Sequence, residues 1–238
     1  MDIMTRLNPK NPILTAIDKN NLSEAENLVS EVGAASGGIK LGKEFFTSFG
    51  PQGIQQVAGT QTPLFLDLKF HDIPNTVAGA VRAATRALAP NMMTIHASGG
   101  AAMIRAASDA ASEFESSPWI LAVTVLTSMD DSDLTSVGVN STASDQVLRL
   151  ARLAQENGAD GVICSPHEIT TLRAECGPDF KLVVPGIRPT GSDHGDQKRV
   201  KTPAEAVADG ADYLVIGRPI TAHEAPATAI QNILESLN

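Results

Sequence analysis

The densest group of reactive side chains lies in LFLDLKFHDIPNT, residues 64–76. On a strand the side chains alternate, so Leu64, Leu66 and Leu68 share one face while Phe65, Asp67 and Lys69 share the other. Asp72 follows on the next loop, ahead of Pro74 and a helix that begins near Thr76. Buried charges cost several kcal/mol each unless they are paired. A plain Asp67–Lys69 ion pair plugging a strand end would satisfy this pattern with no chemistry at all. Two further residues favour chemistry. Lys40, in GGIKLG, stands near the end of a second strand pattern, and Asp18 ends a first. An Asp, a Lys and an Asp-x-Lys on three successive strand ends converge as a preorganised electrostatic site, suited to stabilising charge that develops in a reaction.

The elements that must position these groups form a series of strand–helix units. Strand patterns occupy residues 13–18, 38–42, 63–69, 92–97, 119–126, 161–164, 181–184 and 213–217, each followed by a helical pattern. Eight units of about 30 residues predict an α/β chain of the (β/α)8 TIM-barrel class, for which ~250 residues is usual. A doubly wound open sheet alternates strand and helix in the same way and is the alternative. In a barrel the three leucines face the helices. Asp67 and Lys69 then face the interior at the C-terminal strand ends, where barrel enzymes keep their active sites.

Helix signals fit that register. Ser23 with Glu26, Ser165 with Glu168 and Thr202 with Glu205 have capping-box spacing, and Pro166 and Pro203 take the first helical position. Val77, Val81, Ala84 and Leu88 form one apolar stripe, and Ile230, Ile233, Leu234 and Leu237 another; both read as core packing. Gly158-Ala159-Asp160 and Gly210-Ala211-Asp212 each precede an apolar strand, their glycines suited to left-handed helix ends. No low-complexity linker divides the chain, so a single domain over residues 1–238 is expected.

Composition narrows the function. The 18 basic and 27 acidic residues leave a net charge of −9, which argues against broad affinity for nucleic acid or an anionic membrane. A local basic pocket could still hold a small anion. No window approaches ~18 uninterrupted apolar residues, so no transmembrane helix is expected, and MDIMTRLNPKNP lacks the apolar run of a signal peptide. Cys164 and Cys176 are too few for a disulfide framework or a zinc site. A cytoplasmic location is expected.

Residues 67–76 read D-x-K-x-x-D-I-x-x-T and resemble the signature of the orotidine 5′-monophosphate decarboxylase family. AID at 16–18, IKLGKEFF at 39–46, TIHASGG at 94–100, TVLTSM at 124–129, PGIRP at 185–189, GDQKR at 195–199 and VIGRPI at 215–220 match in order and spacing. The resemblance thus spans nearly the whole chain. The D-x-K-x-x-D core alone is shared with related barrels, among them a sugar-phosphate decarboxylase and a hexulose-phosphate synthase. The I-P-N-T that follows separates them.

The resemblance implies a homodimeric barrel that converts orotidine 5′-monophosphate to uridine 5′-monophosphate and CO2 in de novo pyrimidine synthesis, with no cofactor and no metal. It implies that Lys69 is the proton donor in an alternating array of Lys40, Asp67, Lys69 and Asp72, with Asp72 reaching in from the partner subunit. Asp18 and Thr76 are implied to contact the ribose and phosphate region, Thr76 again across the interface, and Ile73 is counted with the substrate-binding residues. Thr127 and Ser128 stand where the family holds the pyrimidine ring. Gln197, Gly217 and Arg218 stand where it grips the phosphate, with Arg188 nearby. Loss of CO2 from C6 leaves an electron pair with no good π sink. An ammonium against that carbon stabilises the charge and delivers the proton, and a neighbouring carboxylate keeps the lysine charged. The phosphate is remote from the reacting carbon, so its binding energy is free to close loops, for which the glycine-rich 186–197 segment is a candidate.

Other residues take plainer readings. His71 is structural, His96 is a hydrogen-bonded interior imidazole without a second ligand at metal spacing, and Cys164 is an inert buried thiol. The glycines of residues 33–38 precede a strand and so make no dinucleotide fingerprint, and the DDSD run at 130–133 is a solvated loop. Two rivals stand beside the main expectation. One is a magnesium-dependent sugar-phosphate decarboxylase or aldolase of the same superfamily. The other is a non-catalytic barrel that senses uridine monophosphate, which would have no need of a proton donor.

Overall fold

The computed structural model describes residues 7, 10–59, 62–190 and 200–237. Its elements in chain order are β1 Ile13–Ala16, α1 Leu22–Val32, β2 Gly38–Gly42, α2 Lys43–Ala58, β3 Leu64–Phe70, α3 Pro74–Leu88, β4 Met92–His96, α4 Ala101–Ser112 and β5 Trp119–Val123. There follow α5 Asp131–Ser136, α6 Ala143–Glu156, β6 Gly161–Ile163, α7 Ile169–Cys176, β7 Lys181–Val184, α8 Pro203–Ala208, β8 Tyr213–Ile216, α9 Arg218–Thr221 and α10 Pro226–Glu235. The strands are parallel and hydrogen-bonded in chain order, and β8 pairs back onto β1. That closure makes the (β/α)8 barrel and excludes the open sheet.

Closing the sheet sorts each strand's side chains into two layers. Leu14, Phe65, Met92, Leu121, Val183 and Val215 pack inside the barrel. Ile13, Leu64, Leu66, Leu68 and Ile95 pack outward beneath the helices. The helices present matching stripes: Val77 and Val81 of α3 and Ile230 and Ile233 of α10 are buried, with Ala84, Leu88, Leu234 and Leu237 at the margin. Full burial of such a side chain contributes about 1.5–3 kcal/mol.

Two of the expected helix starts occur as drawn. Thr202 and Glu205 form a reciprocal capping box at α8, and Ser165 and Glu168 form one around a short 3-10 turn that leads into α7. The third does not. Asn21, not Ser23, caps α1, its side chain accepting from Glu24 N–H at 3.1 Å, so Ser23 already lies inside the helix. Asn reaches the orphan donors as well as Ser does, and the earlier cap prevails. The DDSD run also departs from a loop: Asp130 caps α5 and forms a capping box with Asp133.

Strand ends differ as well. β1 stops at Ala16 because β8 gives way to Gly217 and α9, while Ile17 still bonds on the β2 side, through Ile17 N–H to Lys40 C=O. β5 stops at Val123 because its neighbours β4 and β6 end at His96 and Ile163.

At the barrel's N-terminal end one device recurs. Asn91 donates its N–H to Leu64 C=O and accepts Leu64 N–H on its side-chain oxygen. Asp160 does the same to Ile120, and Asp212 to Leu182. The two Gly-Ala-Asp repeats therefore perform one task, with Gly158 (φ 87°) and Gly210 (φ 108°) turning the chain out of the preceding helix. At β2 the backbone arm comes from Gly37 N–H to Ile13 C=O, while Asn11 supplies the side-chain oxygen to Ile13 N–H. A Cβ at Gly37 would fall 2.0 Å from the Asn11 carbonyl oxygen, so the asparagine cannot sit there.

Candidate active site

β2 and β3 lie side by side with Gly42 opposite Asp67, which brings Lys40 and Asp67 together inside the barrel mouth. Asp67 is 9% exposed. Lys69 Nζ lies 2.7 Å from both of its carboxylate oxygens, Lys40 Nζ lies 3.7 Å from Oδ2, and Thr94 Oγ1 donates to Oδ1 at 2.9 Å. Burial pushes the Asp67 pKa up. The charges of Lys40 and Lys69, with the hydrogen bonds from Lys69 and Thr94, outweigh it and hold the carboxyl below its ordinary range. Lys40 also reaches Asp18 Oδ1 at 3.5 Å, so three strand ends share one chain of alternating charge. Asp18 itself is exposed and lies just beyond β1.

Lys40, Asp67 and Lys69 help to line a cavity of about 160 Å³. Apolar side chains, including Phe65, Val123, Ile163 and Val215, form much of the rest of the lining, together with Thr127. Apolar walls exclude water and strengthen every charge interaction inside. An ammonium in such a place can stabilise a carbanion and protonate it.

The remaining expected residues that are described lie after the C-terminal ends of their strands. Gly217 packs against the β1 end, where a Cβ would lie 3.6 Å from Ala16 Cβ and 3.8 Å from Asp18 Oδ2, and Arg218 follows, exposed, at the start of α9. Arg188 is buried after β7, its guanidinium donating to Ile187 C=O at 2.9 Å. Ser128 is exposed beside Thr127. Gln197, the 195–199 motif and most of the 186–197 loop lie outside the described residues. Asp72 does not join the array within one chain. Residues 71–76 are all exposed, and Asp72 Oδ1 accepts Ile73 N–H at 2.6 Å.

His96 ends β4 half-buried, its ring 5.3 Å from that of His71. Burial, then the charges of His71, Lys43 and Lys69, drive its pKa down to about 4 against the pull of Asp67. Cys164 is buried. Among the described residues, no group of three or more His, Cys, Asp and Glu is placed to hold a metal ion. Among them too, no helix is long and apolar enough to cross a membrane.

Thr94 was missed from sequence, as was the apolar wall. A signal existed: in MMTIH, Thr94 is the polar residue with the parity of the inward-facing Met92.

A family model described as Orotidine 5′-phosphate decarboxylase / HUMPS family matches residues 11–233. An orotidine 5′-phosphate decarboxylase of Paramagnetospirillum magneticum is 54% identical over 232 residues, covering 95% of this chain and 98% of the relative. One of Idiomarina loihiensis is 49% identical over 225 residues, covering 94% and 97%. The crystal structure of orotidine 5′-phosphate decarboxylase from Lactobacillus acidophilus matches with a TM-score of 0.84 at 36% identity, over 96% of this chain and 99% of that one. With all eight strands and the charged mouth inside the matched region, the chain belongs to the orotidine 5′-phosphate decarboxylase / HUMPS family.

Proposed function

We propose that the protein decarboxylates orotidine 5′-monophosphate to uridine 5′-monophosphate and CO2 in de novo pyrimidine synthesis, in the cytoplasm, with neither a metal nor an organic cofactor. Residues 1–238 act as one domain. Support comes above all from one observation: a buried carboxylate, Asp67, held between two ammonium groups in the lining of an otherwise largely apolar cavity. The relatives that carry this activity in their names support the choice of substrate.

The pyrimidine ring lies against Thr127 and Ser128. When the C6–carboxylate bond breaks, its electron pair stays on C6. Lys69, with its ammonium against that carbon, stabilises the charge and transfers its proton there; solvent then reprotonates the amine. Asp67 is the counter-charge that keeps Lys69 an ammonium, and Lys40 joins Asp67 to Asp18 at the ribose. Gln197, Gly217 and Arg218, with Arg188 near them, hold the phosphate, whose binding energy organises the site around a remote reaction. Asp72, Ile73 and Thr76 complete the partner's site in a homodimer. Their exposure in one chain supports this, since Ile73 is a large apolar side chain left 66% exposed at the barrel mouth.

Incubation with orotidine 5′-monophosphate tests the activity directly. The substrate's ultraviolet absorbance should give way to that of the product, and an unchanged spectrum refutes the assignment. Mixing variants tests the shared site. Lys69→Ala and Asp72→Ala homodimers should both be inactive. Refolded together they should recover about a quarter of wild-type activity, since about half the dimers are mixed and each has one intact site of two. A dead mixture, with heterodimers confirmed by mass, would place Asp72 in its own chain's site.

A further inference from the structure

We infer that Thr94 is the positioning residue for Lys69: one hydroxyl ties the lysine's backbone to the carboxylate that holds its ammonium. The inference rests on Lys69 being the proton donor.

It starts from a fault in the sheet. β3 and β4 pair in step at Phe65–Met92 and Leu66–Met93, and next at Phe70–Ile95, so four residues of advance on β3 meet two on β4. Residues 67–69 bulge out of the ladder, and Lys69 turns into the left-handed region with φ 53°. That conformation is strained for a side-chain-bearing residue and persists only where the surroundings over-determine it.

Thr94 supplies that determination. It is fully buried and has the inward parity of β4. Its Oγ1 accepts Lys69 N–H at 2.8 Å, replacing the ladder partner that the bulge removes, and donates to Asp67 Oδ1 at 2.9 Å. A hydroxyl has one hydrogen to give, and an ionised carboxylate has none, so the direction of both bonds is fixed. Asp67 in turn accepts from Lys69 Nζ at 2.7 Å. The result is a closed ring, from Lys69 N–H to Thr94 to Asp67 and back to Lys69 Nζ. Both ends of the lysine are held by one carboxylate and one hydroxyl.

Thr94→Val keeps the shape and removes the hydroxyl; Thr94→Ser keeps the hydroxyl. For Thr94→Val, kcat for orotidine 5′-monophosphate should fall by about tenfold or more, as a misplaced acid group predicts. KM and the affinity for uridine 5′-monophosphate should move by less than about threefold, since ground-state binding is untouched. Thr94→Ser should return kcat to within about threefold of wild type, a rescue that a general packing defect would not show. Thr94→Ala replaces the valine variant if that chain does not fold. Crystal structures supply a readout free of turnover: without the hydroxyl, Lys69 should leave its left-handed conformation or lose its contact with Asp67, and with serine it should keep both. An unaltered kcat in Thr94→Val, or Lys69 found in place without the hydroxyl, overturns the inference. A wild-type protein that does not turn over the nucleotide overturns the proposed activity instead, and the crystal structures then decide the positioning role alone.

Discussion

Acidification from pH 7.5 to 5 bears on His96 through its lowered pKa. Burial, with the charges of His71, Lys43 and Lys69, takes its pKa from 6.5 down to about 4, with Asp67 pulling the other way. At pH 5 the folded protein keeps the ring neutral while the unfolded chain protonates it. The unfolded state therefore binds more protons between the two values, so this stabilisation is complete above pH 6.5 and drains away as pH falls toward 4. Linkage for such a site gives ~2 kcal/mol of lost stability between pH 7.5 and 5. Solvent screening of a ring that is only partly buried reduces that to about 1 kcal/mol, or roughly 2–4 °C in Tm for a chain of this size. Urea unfolding of wild type and His96→Asn at both pH values, at fixed ionic strength, measures it directly. The asparagine chain should lose about 1 kcal/mol less than wild type over this interval. Asp67 does not confuse the comparison. Its lowered pKa leaves its stabilisation intact until pH falls below the ordinary carboxylate range. Equal losses in the two chains would show that the folded His96 titrates like a free imidazole, and the electrostatic account of the mouth would fail with it.

Arg218→Ala should weaken binding of the nucleotide far more than that of its phosphate-free nucleoside, by about 1.5–3 kcal/mol in a calorimetric titration. Equal losses for both ligands would remove Arg218 from the phosphate site. Decarboxylation should proceed undiminished in EDTA, and a rate restored only by added Mg²⁺ would move the protein to the sugar-phosphate branch of its superfamily. Gly161→Ala should cost at least about 2 kcal/mol in urea unfolding, because the new Cβ would fall 2.2 Å from the Lys181 carbonyl oxygen on the neighbouring strand. A variant as stable as wild type would mean that β6 and β7 can part there.

Legibility in the sequence tracks the range of the interactions involved. The eight strands and the inward parity of Phe65, Asp67 and Lys69 follow from local alternation, and the structure places them as the pattern predicts. Family resemblance carried the rest of the expected site, which alternation alone does not reach. The α1 cap was misplaced because Asn21 and Ser23 are both good caps two residues apart, and only the helix axis chooses between them. Asp130–Asp133 pairing looks from sequence like a solvated run because its capping bonds need the chain already turned. Thr94 and the left-handed Lys69 depend on a slipped register between β3 and β4. That is a property of two strands, and nothing in the residue type of a lysine announces it.

The side-chain ties at the barrel's base have a consequence for where this chain could be cut. Asn91, Asp160 and Asp212 each reach back to the strand immediately before their own, joining β3 to β4, β5 to β6 and β7 to β8. Asn11 and Gly37 do the equivalent for β1 and β2. Between β4 and β5 a backbone bond crosses at this level, from Trp119 N–H to Asn91 C=O. A break in the exposed 115–117 segment leaves each of these four ties inside one fragment, two in each half. A break at 89–90 strands Asn91 on the wrong side of the cut from Leu64. Separately made halves ending and beginning at 115–117 would each carry two whole ties and four strands, which makes that junction a natural place for a split protein or a circular permutant.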